Sequence, residues 1–138
     1  MQQLFHEIKI NTKGQGFYDF TDKTISWING QKIKNGILNI NILHTSASLV
    51  IQENADPSAR RDLEQWLNRL VAEDDPLYTH TLEGPDDMPA HIKAALTSTT
   101  LSIPVQGGRP ALGVWQGVYL WEHRRRGAIR RCVVHVGA

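Results

Sequence analysis

The stretch VWQGVYLWEH at positions 114–123 limits the possible folds more than any other part of this chain. A strand with one face in solvent alternates apolar and polar residues. This one is apolar or aromatic on both parities, which predicts a strand buried on both faces. Trp115, Tyr119 and Trp121 share parity with His123, so their rings are expected in the core. An oligomer interface, where such residues are enriched, is the next reading. With 138 residues, 41% of them hydrophobic and 21% charged, the chain can close one core alone, and a single domain over 1–138 is expected.

The other segments predict what surrounds that strand. LFHEIKIN (4–11) alternates, with Leu4, His6, Ile8 and Ile10 on one face, and reads as a half-buried strand. After TKGQG and FYDF, Thr21 is the expected cap of a helix that carries Ile25 and Ile28 and stops at Asn29-Gly30. NGILNINILHTSASLVIQEN (35–54) predicts two strands, or one long bent strand, with HTSAS between its apolar runs. In DPSARRDLEQWLNRLV (56–71), Asp56 caps and Pro57 opens the clearest helix, with Leu63, Trp66, Leu67 and Leu70 at helical spacing. LYTHTLEGPDD reads as loop, MPAHIKAAL as a short helix, and TLSIPV (100–105) as a strand. QGGRPALG reads as a hairpin turn and not a phosphate cradle, since it lacks GxGxxG and precedes no helix. AIRRCVVHV forms a last strand with Ala128, Cys132, Val134 and Val136 on one face. The pattern predicts an α+β fold with a mainly antiparallel sheet and about three helices.

A net charge of +1 gives no global field of the kind that nucleic acid or membrane binding needs, and RRRG is read as a solvated turn. The N-terminus has the look of neither a secretory signal nor a membrane span, and the one cysteine, Cys132, cannot form an intramolecular disulfide. A reduced cytoplasmic setting with a buried structural thiol is expected.

Four of the six histidines stand at the ends of elements beside other polar groups. His44 opens HTSAS, His80 precedes an acidic loop, His91 follows DDMP, and His123 ends the aromatic strand. His6 and His135, inside alternating strands, read as packing or surface residues. If the four meet, imidazole chemistry points to a divalent metal ion, zinc first. Each ring then needs a carboxylate or similar acceptor to fix its tautomer. Glu53, Asp56, Glu83, Asp86, Asp87 and Glu122 are available for that, or for general base work. Asp87 alone is read as the cap of the short helix, which leaves Glu83 and Asp86 in surplus. Thr45, Ser46 and Ser48 supply hydroxyls for an anion or a turn, and no GxSxG marks a serine nucleophile. QENADP (52–57) places Glu53, Asn54 and Asp56 before a helix N-terminus, a place suited to anions or simply to a capped loop.

The segments HTSASL, QENADP, EGPDDMPAHIK and LGVWQGVYLWEHR, in this order, resemble the YjbQ-like family, also labelled secondary thiamine-phosphate synthase. The resemblance implies a sheet-rich, sandwich-like α+β fold assembled as a homotrimer. It also implies a polar pocket, metal-binding and near a subunit boundary, drawn from His44, Glu53, Asn54, Asp56, His80, Glu83, Asp86, Asp87, His91, Gln116, Glu122 and His123. The chain departs from the family in ending HVGA where relatives finish in Gly-Glu, and in Val114 where threonine is frequent.

The expectation that follows is an enzyme with a histidine-bound divalent metal acting on a small phosphorylated or anionic metabolite, with weak thiamine-phosphate synthase activity. His44, His91 and His123 are the first choices as ligands and His80 the fourth. Glu122, Asp87, Glu53 and Asp56 are the candidate proton carriers or orienting groups. Thr45, Ser46, Asn54, Glu83, Asp86 and Gln116 are the candidate substrate contacts. The alternatives are a metal-free binding module for a small anion and a structural or regulatory homotrimer.

Overall fold

The computed structural model describes residues 1–138 and places the doubly apolar segment in the middle of a three-stranded sheet. The strands are β1 (Gln3–Asn11), β2 (Gly16–Asp19), β3 (Asn35–Ile42), β4 (Ala47–Glu53), β5 (Thr100–Gln106), β6 (Arg109–Pro110), β7 (Gln116–Glu122) and β8 (Ile129–Gly137). The helices are α1 (Thr21–Gly30), α2 (Pro57–Leu70) and α3 (Asp87–Leu96). One sheet runs β1-β8-β3-β5-β6, the other β2-β7-β4, and all pairings are antiparallel. This is the antiparallel α+β fold that the pattern predicts, with the sandwich-like core that the family resemblance implies.

Both faces of β7 are covered within one chain. Val118 and Leu120 point toward the larger sheet and join Ile8, Ile10, Leu38, Ile40, Ile103, Cys132, Val134 and Val136 in the main core. Tyr119 and Trp121 point the other way, where Trp121 packs with Leu67, Val71, Val50 and Ile92 beneath α2 and α3. Each large side chain buried here contributes roughly 1.5–3 kcal/mol relative to exposure. The double-sided apolarity of β7 is therefore accounted for without a second subunit. Trp115 is a correction to the core reading: it precedes the strand and is 63% exposed.

The apolar runs at 35–54 are two strands, and they belong to different sheets. Residues 43–46 carry the chain across the sandwich, so His44, Thr45 and Ser46 sit at its end, while Ala47 and Ser48 open β4. Asp56 caps α2 as predicted, accepting from the Ser58 amide at 2.9 Å. Only part of its apolar stripe is covered. Leu67 is buried, but Trp66 and Leu70 remain 52% and 56% exposed, because the sheet beneath has only three strands. The Gly107-Gly108 pair, with φ of 60° and 80°, makes the predicted two-residue hairpin between β5 and β6.

Two predicted caps are overturned. At α1 the cap position is Phe20, and it is Asp19 whose carboxylate accepts from the Thr21 amide at 2.9 Å. The Thr21 hydroxyl is turned instead to accept from the Val118 amide at 2.8 Å, tying the helix to β7. At α3 the cap position is Asp86, with no side-chain cap bond, and the Asp87 carboxylate turns inward to other partners.

Candidate functional site

Asp87 lies in the first turn of α3, with its side chain only 2% exposed. Its Oδ2 meets two imidazoles: His80 Nε2 at 2.6 Å, from the loop between α2 and α3, and His91 Nε2 at 3.2 Å, one helical turn on. Ligand atoms of His80, Asp87 and His91 lie within 4.8 Å of one another. The Asp87 Oδ1 atom accepts from Arg124 Nη1 at 2.8 Å. Burial alone would raise the Asp87 carboxyl. The His80 hydrogen bond and the nearby Arg124 and His91 charges outweigh it and hold the group below the usual carboxylate range.

The acids ahead of His91 are thus distributed around one guanidinium. Arg124 Nε donates to Asp86 Oδ2 at 3.0 Å, Nη1 to Asp87, and Nη2 to the Glu83 carbonyl at 2.8 Å. Asp86 also accepts from the Arg125 amide at 2.9 Å. Its carboxyl is likewise held low, the cost of burial being overcome by Arg124 and that amide. Glu83 serves the guanidinium through its backbone and not its carboxylate. This arginine accounts for the paired acids Asp86 and Asp87, both of which it holds by their carboxylates. Arg124 is the member of this cluster that the sequence reading missed; its signal was present in EHR, directly after His123.

The tautomer of His91 follows from its neighbours. Its Nδ1 faces the Thr45 carbonyl at 2.9 Å. A carbonyl only accepts, so Nδ1 carries the hydrogen. In a neutral ring, Nε2 is then a bare lone pair turned on a carboxylate oxygen. The contact is favourable only if Nε2 carries a second proton or if a cation sits between the two atoms. An Nδ1–H held by a backbone carbonyl, with Nε2 left free, is also how a metal-ligating histidine is usually oriented.

The other predicted ligands lie elsewhere. His44 Nε2 accepts from the Arg131 amide at 2.8 Å. Burial, followed by the Arg130 charge, lowers its pKa. His123 is fully buried on the helix-facing side of β7, with Nε2 2.8 Å from Ser48 Oγ and no partner for Nδ1. Burial, with Lys93 and Arg130 adding to it, pushes its pKa down to about 3, so it is neutral. Glu122 faces the opposite way, into the sandwich, in a buried ion pair with Arg130. It also accepts from Thr12 Oγ1 at 2.6 Å and from the Arg124 amide at 3.2 Å. Arg130 donates in turn to Ser46 Oγ at 3.0 Å, which fixes the crossing loop whose Thr45 carbonyl holds His91.

Glu53, Asn54, Asp56 and Gln116 form a separate group. Glu53 pairs with Gln116 at one end of the β4–β7 ladder, whereas Ala47 pairs with Glu122 at the other. Six residues of strand separate the two ends by about 20 Å. Within one chain this group holds loops. Glu53 Oε2 accepts from the amides of Ala55 and Asp56, Asn54 Nδ2 donates to the Val114 carbonyl at 3.2 Å, and Gln116 Oε1 accepts from the Gly113 amide at 2.7 Å.

A cleft of about 410 Å³ opens beside His80, walled by Glu73, Asp74, Asp75, Tyr78 and Met88. A larger groove, about 610 Å³, runs past His6, Lys9, Lys23 and Trp27, but it contains none of the three clustered residues. Of the three clustered residues, His80 lines the cleft, and the cleft's three acids make that wall negative.

The fold and this cluster define a class: small two-sheet α+β domains with a histidine–carboxylate centre at the start of a helix. Residues 6–138 match the family described as UPF0047 protein YjbQ-like, and the chain belongs to that family. It is 48% identical to a UPF0047 protein of Synechocystis over 92% of this chain and 86% of the relative. It is 41% identical to the UPF0047 protein YjbQ of Salmonella typhimurium over 91% of each. Among solved structures, an uncharacterised YjbQ/UPF0047 protein of Clostridium acetobutylicum superposes with a TM-score of 0.88 at 29% identity, covering 96% of this chain and 99% of the other. A conserved hypothetical protein of Thermus thermophilus gives 0.83 at 32% identity, over 94% and 97%. No helix is long and apolar enough to cross a membrane.

Proposed function

We propose that this chain is a divalent-metal-dependent enzyme acting on a small phosphorylated or otherwise anionic metabolite, with thiamine-phosphate synthase chemistry as a side activity. His80 Nε2, His91 Nε2 and Asp87 Oδ2 would hold the ion. The observation that carries this reading is His91 Nε2 turned on Asp87 Oδ2 at 3.2 Å while Nδ1 is committed to the Thr45 carbonyl. Two imidazoles and one carboxylate are a ligand set that zinc accepts in sites that keep a position for water or substrate. To admit an ion with bonds of about 2 Å, His80 and Asp87 would part from their 2.6 Å contact and the two imidazoles would settle around it.

A bound divalent ion would act as a Lewis acid, neutralising a phosphate or departing pyrophosphate. The chain's own groups do the rest. The Thr45 carbonyl fixes the His91 tautomer, and Arg124 adds fixed positive charge beside the carboxylate. Asp86 steadies Arg124, and the Thr45 side chain, which is exposed, would be free to contact an anion.

Elemental analysis and Zn²⁺ titration of protein purified without chelators test the reading. About one ion per chain, lost in His91→Ala, is the expected result; no metal in either protein would sink it. The same contact has a metal-free solution, with His91 doubly protonated against Asp87. That favours a small-anion binding module as the second reading. It predicts thermal stabilisation by inorganic phosphate that EDTA leaves unchanged.

A further inference from the structure

We propose that Arg124 is the positioning residue of this centre. By occupying Oδ1 of Asp87, it confines the carboxylate to single-oxygen coordination through Oδ2 and so keeps positions on the ion free for substrate. The inference rests on the metal-binding reading above and deepens it.

Both oxygens of Asp87 are spoken for. Oδ1 accepts from Arg124 Nη1 at 2.8 Å, while Oδ2 faces His80 and His91 at 2.6 and 3.2 Å. A carboxylate left to itself on a divalent ion can rotate to bind through both oxygens and fill an extra position. Rotation here would break a charge-assisted hydrogen bond in a nearly dry place, since the Asp87 side chain is 2% exposed. Arg124 cannot follow such a rotation. Its Nε is held by Asp86 Oδ2 at 3.0 Å and its Nη2 by the Glu83 carbonyl at 2.8 Å. All three edges of the guanidinium are therefore fixed by the EGPDD segment. The neighbouring Arg125 amide anchors Asp86 from behind at 2.9 Å. Lysine has no planar fork and can satisfy at most part of this set.

The test uses the full chain and Zn²⁺ alone as probe. Wild type, Arg124→Gln and Arg124→Lys are titrated with Zn²⁺ by calorimetry, and Zn²⁺-loaded crystals of wild type and Arg124→Gln are compared. In wild type, Asp87 should bind through Oδ2 only, with Oδ1 still on Arg124. In Arg124→Gln, both Asp87 oxygens should reach the ion, or the carboxylate should turn away, with affinity reduced about ten- to a hundredfold. Arg124→Lys should recover part of that loss. Unchanged single-oxygen binding with affinity within twofold in Arg124→Gln would overturn the inference while leaving the metal site intact. Failure of the wild type itself to bind Zn²⁺ would remove the metal reading, and this inference with it. If Arg124→Gln does not fold, Asp86→Ala, which removes the acceptor of both Arg124 Nε and the Arg125 amide, should show a smaller loss in the same titration; no loss would count against the proposal.

Discussion

His123 shows how one atom can set the pH response of a whole domain. It is buried without a partner on Nδ1 and stays neutral, its folded-state pKa held near 3 by burial. In the unfolded chain it titrates near 6.5. Between these values the unfolded state binds the extra proton, so stability rises with pH through that window. It is lost as pH falls below about 6.5, at a slope of up to about 1.4 kcal/mol per unit from this residue. Urea unfolding at pH 5 and pH 7 measures it. His123→Asn or His123→Gln should flatten the difference, and an undiminished slope would assign it to other groups. Cys132 is the matching case for reactivity. It is fully buried and its thiol is pushed up to about 12 by burial. A thiol reagent should modify it only on the timescale of unfolding, at a rate that follows denaturant concentration. Labelling of the native protein within seconds would refute this.

At the scale of elements, Asp56 and Asp87 make an instructive pair, since both stand at the start of a helix. Asp56 caps α2, and Asp56→Ala should lower unfolding free energy by about 1 kcal/mol in a denaturant titration. Asp87→Asn should leave α3 uncapped as before but abolish the Zn²⁺ binding proposed for the centre, since its carboxylate makes no cap bond. The sequence pattern made β1, β3, β4, β5, β7, β8 and all three helices legible, because apolar periodicity and Pro or Gly punctuation are local signals. It did not reveal which histidines converge. That depends on where β3 hands over to β4 between sheets, and on which way each polar end of β7 points. Hydrogen-bond competition was equally hidden. Asp87 looks like a cap until Arg124, thirty-seven positions later, is seen to claim it.

At the scale of the molecule, the two sheets are tied by a buried charge pair. Glu122 comes from the small sheet and Arg130 from the large one. Removing one partner strands the other in the interior. Glu122→Gln or Arg130→Met alone should therefore cost about 3–5 kcal/mol, whereas a double Glu122→Leu, Arg130→Met variant should cost much less. Calorimetric unfolding of the three variants measures this. The crossing loop hangs from the same pair through Ser46, so the single variants should also weaken any ligand that needs His91 held by the Thr45 carbonyl. The homotrimer implied by family resemblance is testable on this scale too. Val114 and Trp115 are exposed although large and apolar, and Trp115→Glu should lower the mass seen by light scattering if they lie in the contact.

The two-sided burial of β7 also bears on how the chain avoids misfolding. Val118 and Leu120 are nearly interchangeable with Tyr119 and Trp121 in hydrophobicity, so a slip of this strand by one residue would still present greasy side chains to both layers. Its last residue, Glu122, and the next one, His123, break that degeneracy. A shifted strand would push the Glu122 carboxylate under the helices and leave Arg130 facing an imidazole. Adjacent residues of opposite destination thus act as a proofreading mark at the strand's end, rejecting threadings that oiliness alone would accept.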